Sequence, residues 1–315
     1  MRYLALLLLI WSPAVWAVSE DVSLDTDLGP LHGTLEFSES PASKAVALII
    51  SGSGPTDRDG NSAMLPGKNN SLKYLAEGLL EQGIASLRYD KRLIGESASD
   101  QLTEEDLRFE HYITDAEFLA AYLKKRFDLP VFLVGHSEGS LIALVAAKSN
   151  DVRGVVSLAG VGQNASQVIL DQLRKQLPEP MMQQSETVVD SLVAGERVTE
   201  YPPALFSLFR PSVQPYLISW FRYDPEVELA ALDCPVLLIY GTTDLQVPPS
   251  EADFLLGADD TARLVVIEGM NHVLKSVSGT MVEQMGSYSD PELPVVPELV
   301  DEVSAFILEE SRAGK

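Results

Sequence analysis

The chain has 315 residues, 46% of them hydrophobic and 22% charged, enough apolar mass for a large globular core in one domain or one domain with an insertion. Its 46 Asp and Glu against 23 Lys and Arg give a formal net charge of −23 at pH 7, which argues against nucleic acid and anionic membrane surfaces as partners. Cys234 is the single cysteine, so an intrachain disulfide is excluded, and its place before Pro235 reads as a small buried hydrophobe.

Residues 1–17, MRYLALLLLIWSPAVWA, join Arg2 to an apolar stretch, a break at Pro13 and small residues ahead of Ala17. The apolar stretch is short for a bilayer span, so the segment reads as a cleaved export signal rather than a stable membrane anchor. The expected mature chain starts near Val18 and is periplasmic or secreted; losing Arg2 takes the formal charge from −23 to −24. Next, VSLDTDLGPLHGTLEF alternates around Gly29-Pro30 and predicts a β-hairpin. AVALIIS at 45–51 is a continuous apolar run of the kind that forms a buried parallel strand, and it ends in Gly-Ser-Gly-Pro. Helical spacing over 71–83 leads into the strand 84–90, and an amphipathic helix over 111–127 leads into the strand 131–135. A helix through 140–149, strands at 152–160, 234–241 and 262–269, and a helix over 297–311 follow.

Strands alternating with helices indicate an α/β protein: a mostly parallel twisted sheet with helices on both faces. The alternation fails between Gly160 and Leu232, where the pattern is helical, interrupted by prolines and rich in aromatics. The expected organisation is therefore a core from residues 18–160 and 233–315, with 161–232 as a helical cap or lid over the carboxyl ends of the strands.

Within VFLVGHSEGSLIAL, a strand, a Gly-x-Ser-x-Gly turn and a helix follow without a spacer. That order places Ser137 on a strained turn at the top of the sheet, with the helix N-terminus aimed at the reacting centre. Without the flanking elements the pentapeptide would be only a structural turn. A serine hydroxyl needs a positioned base, and the chain has four histidines. His32 falls in the hairpin, His111 at a helix start, and His136 inside the turn, where packing is expected. His272 lies just past the strand ARLVVIEG, at a strand's carboxyl end where functional loops collect. Asp244 follows the strand PVLLIYG at the same sheet edge and is the expected orienting acid, with Glu268 as its rival. Asp253, Asp259 and Asp260 suit solvated positions better.

An oxyanion hole needs two N–H groups. Glu138, directly after Ser137, supplies one; Ser53, between Gly52 and Gly54, supplies the other. Glu138's side chain is expected to point away from the pocket. A phosphate-cradle reading of the Gly52–Gly54 loop lacks the Lys-Ser/Thr ending that chemistry uses. Asp57, Arg58 and Asp59 read as a charge-paired loop supporting the oxyanion strand, in one polar set with Arg88 and Arg92. Among the aromatics of the insertion, Phe206, Phe209, Tyr216 and Trp220 are expected in the lid core and the acyl-pocket wall.

With SGSGPTDRDGN, SLRYDKRLIGES, LVGHSEGS, YDP, YGTTDLQVP and GMNHVLK in place, the sequence resembles the α/β-hydrolase superfamily. Within it, the likeness is to a bacterial branch of EstD-like esterases and peptidase-S33-like (serine aminopeptidase) serine hydrolases. The resemblance implies Ser137, Asp244 and His272 as triad, Ser53 and Glu138 as oxyanion donors, a small-molecule ester as substrate, and no cofactor or metal. It also exposes a departure: Leu93 stands where relatives usually carry glycine after the Asp-Lys-Arg. The expected activity is carboxylester hydrolysis on small to medium acyl chains. An envelope peptidase or amidase, a thioesterase and a deacetylase of envelope sugars use the same triad and stay open. From another class, so does a non-catalytic binding protein on this scaffold.

Overall fold

The computed structural model describes residues 17–149, 151–277 and 280–313. The expected export signal, apart from Ala17, lies outside the described residues. The sheet is built from β1 (Ala17–Leu24), β2 (Leu31–Ser38), β3 (Ala45–Ile50), β4 (Ile84–Tyr89), β5 (Val131–His136), β6 (Gly154–Leu158), β7 (Val236–Gly241) and β8 (Arg263–Ile267). Their spatial order is β1-β2-β4-β3-β5-β6-β7-β8. β1 and β2 form the expected antiparallel hairpin, with Gly33 opposite Val22, and β2 runs antiparallel to β4. From β4 to β8 every pairing is parallel.

Central strands that are apolar on both faces demand cover on both sides. Helices α1 (Ser71–Glu81) and α11 (Pro297–Ala313) supply one layer, and α2 (Phe109–Phe127), α3 (Glu138–Ala147) and α9 (Glu251–Ala258) the other. The strands alternate between the two layers. Val131 and Leu133 of β5 join one apolar cluster, while Phe132 and Val134 join the opposite one. β8 departs from the pattern of continuous burial, because at the sheet edge Leu264 and Val266 stay exposed at 37% and 42%. The alternation has right-handed crossovers as its default, and it brings the loops after β3, β5, β7 and β8 to one sheet edge.

Between β6 and β7 run α4 (Ala165–Arg174), α5 (Glu179–Val193), α6 (Phe206–Phe209), α7 (Gln214–Trp220) and α8 (Pro225–Ala230). This segment has an apolar cluster of its own, centred on Val188, Val189, Leu192, Phe209, Leu217 and Phe221. A short helix, α10 (Met281–Ser287), follows β8. No helix among the described residues is long and apolar enough to cross a membrane.

Candidate active site

The turn between β5 and α3 has the geometry its sequence predicts. Ser137 lies at φ 54° and ψ −121°, a conformation that L-residues avoid and that persists only when its surroundings impose it. Two restraints hold it: the Ser137 N–H donates to the Leu158 carbonyl at 2.9 Å, and its own carbonyl accepts from the Ser140 N–H at 2.9 Å. Gly139 is obligatory here, since a Cβ would stand 2.3 Å from the Ile50 carbonyl oxygen. The close approach of α3 to the end of β3 brings the Gly52–Gly54 loop to the serine. A Cβ on Gly52 would meet the Ser137 Cβ at 3.1 Å.

His272, beyond β8, is buried, and its Nδ1 lies 2.7 Å from Asp244 Oδ2 in the loop after β7. The other carboxylate oxygen of Asp244 accepts from the N–H groups of Gln246 at 2.7 Å and Val247 at 2.9 Å. The acid is thereby locked in place, with one oxygen committed to its own turn and one to the imidazole. Because a carboxylate only accepts, Nδ1 carries the proton and Nε2 is left with its lone pair free to accept one. Glu268, the rival acid, is exposed.

His136 does more than pack. Its Nε2 donates to the His272 carbonyl at 2.8 Å, and the two rings lie tilted with centroids 4.8 Å apart. Burial, reinforced by His272, pushes the His136 pKa down to about 3, so the ring is neutral. His111 serves the first turn of α2, accepting the Arg108 N–H at 3.2 Å.

The carboxylate of Glu138 turns to Lys91 and to the insertion. Lys91 Nζ donates to Glu138 Oε1 at 2.7 Å and to the Gly52 carbonyl at 2.7 Å. Tyr216 of α7 donates its hydroxyl to Glu138 Oε2 at 2.8 Å. Burial first, and then the charge of Glu138, hold the Tyr216 pKa well above the usual phenol range, so it remains a donor. Lys91 also lies 4.6 Å above the Tyr112 ring.

Arg58 and Asp59 are charge-paired as expected, while Asp57 accepts from the N–H groups of Asp59 and Asn61 within its own turn. Arg58 binds Asp90 through its backbone N–H and its guanidinium, at 2.8 and 2.7 Å, and Asp59 pairs with Arg88 at 2.8 Å. Arg92 belongs elsewhere: it grips Asp115 of α2 and the Leu28 carbonyl, tying the N-terminal hairpin to the core. Leu93 takes φ 66°, a left-handed conformation at the position where the resemblance implies glycine, and its side chain packs on the core. Of the four aromatics singled out in the insertion, Phe209 is fully buried in the insertion's own cluster and Phe206 is 57% exposed. Tyr216 and Trp220 bridge to Phe109 of α2, with the Trp220 and Phe109 rings stacked at 5.9 Å.

The sequence alone gives Lys91 no role, although RYDK places it two residues past β4 and therefore at the sheet edge that carries the site. A lysine 1% exposed is the signal only the fold supplies. Among the described residues no three His, Cys, Asp or Glu side chains gather as a metal site.

The eight-stranded, mostly parallel sheet, with a strained serine after the fifth strand and the Asp244 and His272 loops after the seventh and eighth, has the α/β-hydrolase fold. Comparison with known proteins agrees on the α/β-hydrolase fold. The profile of the serine aminopeptidase S33 family matches residues 68–212. Esterase EstD of Thermotoga maritima is 29% identical over 268 residues, a match covering 83% of this chain. The chain spans only 62% of the length of that relative. Among solved structures, Est1E from Butyrivibrio proteoclasticus with ferulic acid bound superposes with a TM-score of 0.61 at 20% identity, covering 92% of this chain and 98% of that one. Dienelactone hydrolase from Anabaena variabilis gives a TM-score of 0.52 at 21% identity, covering 87% and 96%. At these identities the two structures establish the fold.

Proposed function

We propose that the chain is a serine carboxylesterase acting on small-molecule esters of small to medium acyl chains through an acyl-enzyme on Ser137. The observation that carries this reading is the buried 2.7 Å bond between His272 Nδ1 and Asp244, at the sheet edge that also presents the strained Ser137. Ser137 Oγ attacks the ester carbonyl and gives its proton to His272 Nε2, while Asp244 holds the ring and stabilises the imidazolium. The N–H groups of Ser53 and Glu138 receive the oxyanion. His272 then protonates the departing alcohol, and water hydrolyses the acyl-enzyme by the same steps. In this reading residues 161–232 form a cap over the site, with Tyr216 and Trp220 where it meets the core, Phe206 on its surface and Phe209 within it. The names of EstD and Est1E support ester chemistry for the class.

The S33 match over 68–212 favours a second reading, amide cleavage by the same groups. The test is a panel of aryl esters of varied chain length beside aminoacyl anilides, on wild type and Ser137→Ala, with fluorophosphonate labelling of both. Ester turnover and labelling that vanish in Ser137→Ala are expected. Full activity in the variant would overturn the triad, and faster anilide turnover would move the assignment to peptidase. We also propose export, from the pattern of residues 1–17; mass spectrometry of the secreted protein should find an N-terminus near Val18.

A further inference from the structure

We infer that Lys91 and Glu138 form a buried ion pair that sets both donors of the oxyanion hole; this deepens, and rests on, the esterase reading above. The Gly52 carbonyl and the Ser53 N–H belong to one planar peptide unit, so fixing the oxygen fixes the direction of the N–H. Lys91 Nζ fixes that oxygen at 2.7 Å. The same ammonium holds Glu138 Oε1 at 2.7 Å, and Glu138 contributes the other donor through its backbone at the start of α3. One cation therefore couples the loop after β3 to the turn after β5. A cation on a peptide carbonyl also polarises the group and makes its N–H a stronger donor.

The charges explain why the pair is built this way. A carboxylate beside a developing oxyanion would raise the barrier, and Glu138 is 3% exposed. Lys91, 1% exposed, neutralises it, and Tyr216 takes the remaining oxygen at 2.8 Å. Removing one partner strands a buried charge, whereas removing both leaves a neutral site. Lys91 and Glu138 act through the backbone donors and do not touch the substrate. They are positioning residues.

The test is steady-state kinetics on an aryl ester together with the affinity for a trifluoromethyl ketone, which forms an oxyanion adduct on the serine. The non-reacting methyl ketone of the same shape reports ground-state binding. With Lys91→Met, kcat/KM should fall about 10²-fold, the typical loss of one oxyanion donor. Trifluoromethyl ketone affinity should fall by a similar factor, and methyl ketone affinity by less than about threefold. If Lys91→Met does not fold, the double variant Lys91→Met/Glu138→Gln removes the stranded charge. It should fold and remain at least about tenfold slow, because the Gly52 carbonyl is still unheld. Wild-type kcat/KM in either folded variant would overturn the inference, as would equal losses for both ketones. An inactive wild type would instead overturn the esterase reading, and this inference with it.

Discussion

At the scale of single residues, the site depends on which atom of each polar group is already taken. Asp244 shows this most clearly. Its Oδ1 is held by the Gln246 and Val247 N–H groups, so only Oδ2 remains for His272. In Asp244→Asn the amide oxygen keeps the two turn bonds, and the amide NH₂ then faces Nδ1. A donor there forces the proton of His272 onto Nε2, the nitrogen that accepts from Ser137 in the proposed mechanism. The loss in kcat should be about 10³–10⁴-fold with the melting temperature nearly unchanged. Stopped-flow or steady-state rates beside thermal unfolding check it, and a loss below tenfold would remove Asp244 from the proposed mechanism. Leu93 makes a related point. At φ 66° it keeps a backbone conformation that costs about 1 kcal/mol for a side chain, offset by packing on the core.

At the scale of elements, the turn that carries Ser137 is a steric construction. β5, the turn and α3 fit against the end of β3 only because Gly139 leaves room for the Ile50 carbonyl, which a Cβ would approach to 2.3 Å. The clash is with backbone, so no rotamer relieves it. Gly139→Ala should displace α3, lower stability by about 2 kcal/mol or more, and reduce ester turnover well beyond that of the remaining folded fraction. Denaturant unfolding and active-site titration separate the two effects, and a stable, fully active variant would show that the turn relaxes. Much of this level was legible in the sequence. The apolar runs at 45–51 and 131–135 can only be buried on both faces, and β3 and β5 match them to within a residue or two. The proposed order Ser137, Asp244, His272 follows from the ends of β5, β7 and β8. α9 and α10 carry little sequence signal, being short at 8 and 7 residues with little room for periodicity. The RYDK segment alone gives Lys91 no role, because its partners Gly52 and Glu138 lie 39 and 47 positions away. Pairwise geometry over such separations follows from strand order, which a linear pattern does not encode.

At the scale of the whole molecule, the response to acid is decided by groups buried in the wrong charge state for low pH. His136 stays neutral in the fold down to about 3, against 6.5 in the unfolded chain. As pH falls through that window the unfolded chain gains a proton that the folded one refuses, so stability is lost. Asp115 acts in the opposite sense. Burial raises it to about 6, against the pull of Arg92, from an ordinary 3.8. The folded state therefore takes its proton first, and stability is gained as pH falls through 6 to 3.8. The two gaps are worth about 5 and about 3 kcal/mol at 1.36 kcal/mol per pH unit, so the histidine dominates and the pair together favours neutral pH. His136→Gln isolates the larger effect, because the glutamine NH₂ still reaches for the His272 carbonyl without taking a charge. Between pH 6.5 and 4 the variant should lose about 3 kcal/mol less than wild type in denaturant unfolding. Parallel pH profiles for the two proteins would mean that His136 titrates in the fold as it does in the unfolded chain.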